Sequence, residues 1–335
     1  MRTAIAVLGL ASLLACALAG DEPKAAPAER PPLELVQTIA LPGVKGRIDH
    51  FALDGKRKRL YVAALGNGSV EVISLEKGER VRSIAGLDEP QGVVYVPDTD
   101  RLVVACGGDG LVRFYDGETL EENAKVDAGG DADNVRYDPL TQRLFVGFGS
   151  GGVACVNPRK ALVQAAAELG AHPESLQVEP AGRRLFVNVA AAAEVAVIDR
   201  FEMKVTARWK LDGARSNFPM ALDEAGKRLL VGCRAPSCVV ALSTDDGKVK
   251  SRTTCSDDPD DVFVDAARKR VYVSCGAGVV DVFDRVSADE LKLLAKVDTR
   301  HGARTCLFDA ASDRLFVAVP KDGDKEAEVR IYAPR

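Results

Sequence analysis

The sequence is poor in histidine and aromatic residues: its 335 residues include 3 His and 1 Trp, and 5% of them are aromatic. It also lacks an excess of one charge, since 45 basic residues stand against 49 acidic ones for a formal net charge of −4. Nucleic-acid binding needs a basic face, and single-strand binding adds aromatic stacking platforms. Neither requirement is met, so we expect no nucleic-acid partner.

Long apolar runs are absent after the first twenty residues, so no later segment is expected to cross a membrane as a helix. Residues 4–15 form an apolar run behind a positive start at Arg2, and Ala17-Leu18-Ala19 is a small-x-small cleavage site. This pattern predicts a signal peptide over residues 1–19. Leu13-Leu14-Ala15-Cys16 resembles a bacterial lipobox, an alternative route that would place a lipid on Cys16. Either route predicts export to the periplasm or the extracellular space, as a secreted or a lipid-anchored protein.

Internal repetition is the strongest signal in the rest of the chain. A basic residue followed by a short apolar strand recurs as Arg59-LYVA, Arg101-LVVA, Arg143-LFVG, Arg184-LFVN, Arg228-LLVG, Arg270-VYVS and Arg314-LFVA. The intervals between these arginines are 42, 42, 41, 44, 42 and 44 residues. Such a period, with several short strands in each unit, is typical of propeller blades. We predict an all-β, seven-bladed β-propeller of four-stranded antiparallel blades, preceded by a disordered leader at residues 20–32.

The seventh copy stops after its third strand, because the chain ends at Arg335. A segment that can supply the missing strand lies at the other end, in Glu34-LVQTIAL. We expect residues 33–41 to join the last blade and close the ring, which removes an open sheet edge. The predicted domain therefore spans residues 33–335, and we expect it to be monomeric.

The repeat at residues 51–84, FALDGKRKRLYVAALGNGSVEVISLEKGERVRSI, resembles the YVTN-type repeat of YncE-like propellers. The resemblance covers residues 33–335. The Gly-His and Trp-Asp signatures of WD-type propellers are absent, and Trp209 precedes a lysine. Relatives of the YVTN-type repeat include lactonase-like proteins, subunits of quinoprotein dehydrogenases, and binding or surface proteins. The resemblance thus implies a fold more than a chemistry.

Strand direction indicates where a binding site would lie. We name the four strands of each blade A to D, from the central channel outwards. Because successive strands alternate in direction, the D-to-A and B-to-C connectors of all blades emerge on one face, and strand A borders the channel. The residues just before strand A should therefore ring the channel mouth. The candidate ligand-binding residues there are Asp49, His50, Gln91, Asp133, Asn134, His172, Glu174, Asp260, Asp261, His301 and Arg304.

Carboxylates, amides and imidazoles that converge on one cavity can hold a divalent cation. Oxygen-rich ligand sets suit Ca²⁺ or Mg²⁺, and added imidazole shifts the preference towards Zn²⁺. Blades 1, 6 and 7 are consecutive around the ring, and the candidate metal ligands from them are Asp49, His50, Asp260, Asp261 and His301. The competing interpretation is that these acids are ordinary loop residues that cap backbone N–H groups. The spacing assigns no residue a catalytic role.

The chain has eight cysteines including Cys16, which leaves seven in the mature domain, an odd number for an exported protein. Cys233 and Cys238 flank the B-to-C turn of the fifth blade. Residues that face each other across a hairpin have Cα atoms about 4.5–5.5 Å apart, within the range of a disulfide. These two cysteines are the disulfide candidate.

Three functions remain open at this stage. The leading hypothesis is a binding or scaffold protein that recognises a protein partner or a small polar ligand at the channel mouth. One alternative is a metal-assisted hydrolase of the lactonase type at the same site. It would need a metal or a base to activate water and a cation to hold the developing oxyanion. The other alternative is an accessory subunit of a periplasmic redox complex, in which another chain carries the cofactor.

Overall fold

The computed structural model describes residues 30–335, and these residues form short antiparallel strands joined by tight turns. The signal peptide, the lipobox cysteine and most of the leader lie outside the described residues. Within this range 28 strands form seven four-stranded sheets. Single-turn 3₁₀ helices occupy three of the connections, at Leu65–Asn67, Pro97–Thr99 and Ala190–Ala192. No described helix has the length and apolar character needed to cross a membrane.

The strand bounds follow the repeat. Blades 1 and 2 contain β2 (Phe51–Asp54), β3 (Arg59–Ala64), β4 (Ser69–Ser74), β5 (Glu79–Ala85), and β6 (Pro90–Val96), β7 (Arg101–Cys106), β8 (Leu111–Asp116), β9 (Glu122–Asp127). Blades 3 and 4 contain β10 (Val135–Asp138), β11 (Arg143–Phe148), β12 (Gly152–Asn157), β13 (Leu162–Glu168), and β14 (Leu176–Val178), β15 (Arg184–Val189), β16 (Glu194–Asp199), β17 (Lys204–Lys210). Blades 5 and 6 contain β18 (Arg215–Asp223), β19 (Arg228–Ala235), β20 (Ser237–Ser243), β21 (Val249–Thr254), and β22 (Pro259–Asp265), β23 (Arg270–Cys275), β24 (Val279–Arg285), β25 (Leu291–Asp298). Blade 7 contains β26 (Cys306–Asp309), β27 (Arg314–Val319), β28 (Ala327–Pro334) and β1 (Leu33–Leu41).

The predicted seven-bladed architecture is confirmed. Each repeat arginine is the first residue of a strand B, and the strand order in every sheet runs A-B-C-D. Strands B and C are buried on both faces, which explains their continuous apolar composition, whereas strands D alternate between exposed and partly buried residues. The 3.3 Å rise of strands and the tight turns between them produce the short repeat period.

The hydrophobic core is divided among the blade interfaces. Seven clusters of buried side chains lie between neighbouring blades, including one between blades 7 and 1. Fully buried aromatic residues fill these interfaces, with Tyr61 between blades 1 and 2 and Phe186 between blades 4 and 5. Each blade therefore packs against two neighbours, and the contact between blades 7 and 1 covers the faces that an open array would expose.

Strand β1 provides that closure. It pairs antiparallel with β28 from Leu33↔Pro334 to Leu41↔Ala327, with one bulge near Val36. Its buried side chains enter two different interfaces. Leu33 packs in the cluster between blades 6 and 7, and Ile39 packs in the cluster between blades 7 and 1. The N-terminal strand therefore fastens the last blade to both of its neighbours.

Acidic residues on the face opposite the channel mouth have a structural role. An acid recurs at or directly after the end of strand A in six of the seven blades, and at the A-to-B turns of blades 1 and 6 its carboxylate accepts a hydrogen bond from a turn N–H. Asp54 accepts from Arg57 N at 3.1 Å, and Asp265 accepts from Arg268 N at 3.1 Å. Both carboxylates are buried, so each satisfies a turn donor that would otherwise be costly.

The disulfide candidates Cys233 and Cys238 are directly opposite each other in the register of β19 and β20. Both are buried, and both are thiols in the structure. Two further cysteines, Cys255 and Cys275, are buried in the cluster at the next interface, where Cys275 Sγ donates to Val273 O at 3.7 Å. The fifth and sixth blades thus carry four buried thiols at two neighbouring interfaces.

Candidate functional site

A polar cavity of about 250 Å³ opens at the mouth of the central channel. It is built mainly from the first residues of strands A and from the connectors that precede them, so the repeat itself places these side chains in a ring. Its lining residues are Arg47, Asp49, His50, Gln91, Asp131, Asp133, Asn134, His172, Glu174, Ser175, Phe218, Arg234, Asp260 and Asp261. Nine of the eleven residues predicted from the sequence are in this set, and we call it the mouth pocket.

Close backbone packing brings neighbouring connectors together at the mouth pocket. A Cβ atom at Gly92 would lie 2.1 Å from the carbonyl oxygen of Asp133. Likewise, a Cβ atom at Gly66 would lie 2.7 Å from the Arg47 backbone nitrogen, and Gly66 N donates to Arg47 O at 2.9 Å. The two glycines therefore permit backbone approaches that any larger residue would block.

Two of the predicted residues are not in the pocket lining. His301 is exposed at the tip of a tight turn, where Ala303 N donates to Arg300 O at 2.9 Å. Arg304 points to the rim and pairs with Asp258 at 3.0 Å. The predicted metal set that included His301 is therefore not brought together by this geometry.

Three charged lining residues were missed by the sequence reasoning: Arg47, Asp131 and Arg234. Arg234 lies near the end of strand B of blade 5, β19, beside the B-to-C turn, which shares the mouth face with the D-to-A connectors. This shared face was the sequence signal that could have identified Arg234 as a lining residue. Arg47 and Asp131 each lie two residues before a predicted position, and only the path of the connector shows that their side chains turn inwards.

Negative charge dominates the mouth pocket. Six carboxylates, from Asp49, Asp131, Asp133, Glu174, Asp260 and Asp261, line it together with only two guanidinium groups. Burial raises the pKa of Asp49 to about 7, with a further rise from Asp133 that Arg47 partly opposes. Burial also raises the pKa of Glu174 to about 7. The pocket therefore holds carboxylates whose ionised form is poorly compensated by the protein.

The two arginines in the pocket are held by ion pairs at its edge. Arg47 Nη2 lies 2.8 Å from Asp49 Oδ2. Arg234 pairs with Asp260 and also contacts Asp258 at 2.9 Å, while its guanidinium carbon lies 3.7 Å from the centre of the Phe218 ring. The stacking on an aromatic face fixes the direction of Arg234.

His50 is a neutral imidazole that takes part in a buried polar contact. Burial and the nearby charge of Arg136 lower the pKa of His50 to about 4. Its Nε2 lies 2.8 Å from Asn134 Nδ2, which fits an amide that donates to an unprotonated ring nitrogen. Asn134 is 3% exposed, and its Oδ1 has no hydrogen-bond partner among the described residues.

His172 has the opposite electrostatic environment. Its Nε2 lies 3.6 Å from Asp133 Oδ2, and its Nδ1 lies 3.3 Å from Asp131 Oδ2. The contact with Asp133 raises the pKa of His172 above its ordinary value. Glu174, two residues further along the same connector, completes a group of three side chains whose ligand atoms lie within 4.8 Å of one another.

Carboxylates at the mouth differ from those on the opposite face in what they bind. Among the described residues, Asp261 is the one pocket carboxylate that accepts a backbone hydrogen bond, from Cys306 N at 2.8 Å. The others are paired with side chains or face the cavity. The competing interpretation, that these acids cap backbone N–H groups, thus describes Asp261 and the A-to-B turns rather than the rest of the pocket.

A second cavity of about 320 Å³ continues beneath the mouth pocket, and the two share His50 and Asp261 as lining residues. Its walls are formed by strands A and are more apolar, with Phe51, Val93 and Phe263 among them. Arg136 also lines this channel, and burial lowers its pKa. The channel thus changes from acidic at the mouth to mixed apolar and basic below.

Comparison with known proteins gives the fold alone. No protein-family model matches the chain, and no curated protein matches it by sequence. A chain from a crystal structure of the mitotic checkpoint complex is 16% identical with a TM-score of 0.77, over 96% of this chain and 98% of that one. A chain of Kuenenia stuttgartiensis hydrazine synthase is 16% identical with a TM-score of 0.73, over 83% of this chain and 94% of that one. The RRP9 WD40 repeats are 12% identical with a TM-score of 0.78, over 90% of this chain and 100% of that one.

Proposed function

We propose that this chain is a binding propeller that takes up a positively charged ligand in the mouth pocket. The observation that carries this proposal is the excess of six carboxylates over two guanidinium groups around one cavity. Buried carboxylates without compensation are costly to a fold, and a bound cation would offset that cost. Most of these carboxylates accept no backbone hydrogen bond, and Glu174 also has no side-chain ion pair among the described residues, so its oxygens face the cavity.

The cavity volume limits the size of that ligand. Pockets for drug-sized molecules measure about 300–1,000 Å³, so a cavity of about 250 Å³ suits a metal ion, a small amine or one basic side chain. The propeller fold is consistent with a protein-binding scaffold role, and one similar chain belongs to a mitotic checkpoint complex. A partner that presents a lysine or arginine at the mouth would use the same charges.

We further propose that the protein is exported and that its repeats are of the YVTN type, with the propeller domain at residues 33–335. The support is the signal-peptide pattern of residues 1–19 and the resemblance of the repeat. Mass spectrometry of the protein isolated from its host tests the export proposal. A product that still begins at Met1 would contradict it, and a lipid on Cys16 would identify the anchored form.

A thermal-shift experiment tests the ligand proposal. The purified protein is melted with Mg²⁺, Ca²⁺, Zn²⁺, agmatine or spermidine, and with citrate as an anionic control. We expect at least one cation to raise the melting temperature, since a ligand present at 100 times its Kd stabilises a fold by about 2.7 kcal/mol. The effect should fall in D260N and persist in D245N, because Asp245 is exposed in the turn between strands C and D of blade 5, on the opposite face. If no cation shifts the melt, the proposal is wrong.

A lactonase-type hydrolase remains the second candidate, and one observation favours it. Glu174, with a pKa raised to about 7 by burial, has the properties of a general base near neutral pH, and Arg234 lines the same pocket as a cation for a developing oxyanion. A screen of lactones and esters with wild-type protein and E174Q tests this. Hydrolysis that survives unchanged in E174Q would exclude Glu174 as the base.

A further inference from the structure

The cluster of Asp133, His172 and Glu174 has a geometry that the rest of the mouth pocket lacks. It is the group of metal-ligating side chains in the described part of the chain whose ligand atoms all lie within 4.8 Å of one another. Asp133 comes from the connector into blade 3, and the other two come from the connector into blade 4. Two neighbouring connectors thus converge on one point.

A carboxylate lies on the other side of the His172 ring, at ion-pair distance from Nδ1 but outside hydrogen-bond geometry. Its Nε2 is the ring nitrogen near Asp133, while Nδ1 lies 3.3 Å from Asp131 Oδ2. Asp131 is held in turn, because Gln91 Nε2 donates to its Oδ1 at 3.2 Å. A carboxylate on the far nitrogen of an imidazole is the usual support of a metal-binding histidine, since it fixes the tautomer and raises the basicity of the ligating nitrogen.

An unsatisfied polar atom nearby is a second, independent indication of a missing ligand. Asn134 follows Asp133, lines the same pocket and is 3% exposed, yet its Oδ1 has no hydrogen-bond partner among the described residues. Leaving a buried acceptor unsatisfied costs about 1–3 kcal/mol. A hydrated cation in the pocket brings water molecules that can donate to such an acceptor.

The donor set selects the class of cation. Carboxylate-only sets suit Ca²⁺ and Mg²⁺, whereas imidazole together with carboxylates suits Zn²⁺ and neighbouring transition metals. Three protein ligands, with further positions open to a cavity, match the zinc sites that keep a position for water or substrate. The pocket opening supplies that free side.

We propose that Asp133, His172 and Glu174 bind one divalent transition-metal cation, with Zn²⁺ as the best fit, and that Asp131 positions His172. This inference rests on the proposed function, because it names the positively charged ligand of the mouth pocket. It replaces the set of five ligands predicted from the sequence with three residues from blades 3 and 4. Asp133, His172 and Glu174 contribute the ligand atoms, and water fills the positions that face the cavity.

Calorimetric titration with ZnCl₂ tests the proposal on the full chain, purified without a histidine tag, treated with EDTA and dialysed. We expect one Zn²⁺ per chain and a weaker response to CaCl₂. Affinity should fall at least tenfold in H172Q and in E174Q. H301Q is the matched control, because His301 lies on an equivalent connector outside the pocket, and its affinity should equal that of the wild type.

A spectroscopic readout separates coordination from a general effect on folding. Addition of CoCl₂ to the wild type should produce visible absorption bands of protein-bound Co²⁺, and H172Q should lose them while its circular-dichroism spectrum is retained. D131N should keep the stoichiometry but bind about 10- to 100-fold more weakly, with shifted Co²⁺ bands, as expected for a positioning residue.

The outcomes distinguish this inference from the function on which it rests. Equal Zn²⁺ affinity in H172Q and H301Q, or no stoichiometric binding in a folded protein, would overturn the metal site. If agmatine or spermidine still stabilises that protein, the cationic-ligand function stands and only the metal assignment fails. If neither metal nor amine binds, both proposals fail.

Discussion

Truncation of Ile39 tests whether the N-terminal strand holds the ring together. Ile39 is 2% exposed and packs between blades 7 and 1, among Ile48, Leu60 and Val329. The I39A change removes methyl and methylene groups from this interface without altering the backbone pairing of β1 with β28. It therefore measures the packing contribution of the closing strand rather than the effect of deleting it.

The expected loss follows from the burial of this side chain. An Ile-to-Ala change at a fully buried position costs about 2–5 kcal/mol, from lost transfer free energy and from the cavity left behind. Typical free energies of unfolding are about 5–15 kcal/mol, so one substitution in β1 should remove a substantial fraction of the total. Val36 provides the matched control, since it is a β-branched residue of the same strand that is 47% exposed. V36A should cost about 0.5 kcal/mol or less.

Urea denaturation followed by tryptophan fluorescence is a suitable assay. Trp209, the single tryptophan, lies in blade 4 with its ring 5.5 Å from that of Phe186 and is far along the chain from β1. A lower midpoint in I39A at this distant probe would show that the closing strand stabilises the whole ring cooperatively. Equal free energies of unfolding for I39A and V36A would refute closure by buried packing of β1.

Two further predictions concern ionisation and thiol chemistry. Burial raises the pKa of Asp49 to about 7, so the native state holds a proton that the unfolded state releases, and this group lowers stability as pH rises from about 4 to 7. The stability of D49N relative to the wild type should therefore rise across that window, by up to about 1.4 kcal/mol per pH unit. Thermal melts in the presence of EDTA measure this difference. A difference that does not depend on pH would contradict the assignment. Oxidised glutathione should link Cys233 to Cys238, because the two residues are directly opposite each other in the register of β19 and β20. Non-reducing peptide mapping that finds both thiols alkylated after oxidation would exclude this bridge.

The architecture was predictable because it depends on periodic features of the sequence. The arginine at the start of strand B marks all seven A-to-B hairpins, and an acid at or directly after the end of strand A marks six of them, as at Asp54 and Arg59, which pair directly in the register. The local sequence determines the strand pairing of such a hairpin, and tertiary contacts change that pairing little. The closing role of Leu33–Leu41 was predictable for the same reason, since a four-strand repeat that ends after three strands requires one more.

The candidate site was predictable in position but not in composition. Alignment to the repeat placed Asp133 and Glu174 at the channel mouth, because equivalent residues of a propeller occupy equivalent places. It could not give the direction of a side chain within an irregular connector. His301 was predicted to face the site, but a tight turn at Gly302, with φ of +81°, carries it to the surface. Arg234 enters from the end of strand B of blade 5, because β19 has 8 residues where β3 and β7 have 6.

The two faces of the ring show why the acids cannot all be assigned the same role. At the A-to-B turns, buried carboxylates such as Asp54 and Asp265 receive backbone N–H groups and arginine side chains, so their charge is compensated inside the fold. At the mouth, Glu174 receives no backbone donor among the described residues, and burial raises its pKa to about 7. A fold that needed Glu174 only for stability would pair it as it pairs the turn acids. The poor compensation of Glu174 next to an open cavity is instead what a site for a positively charged ligand requires.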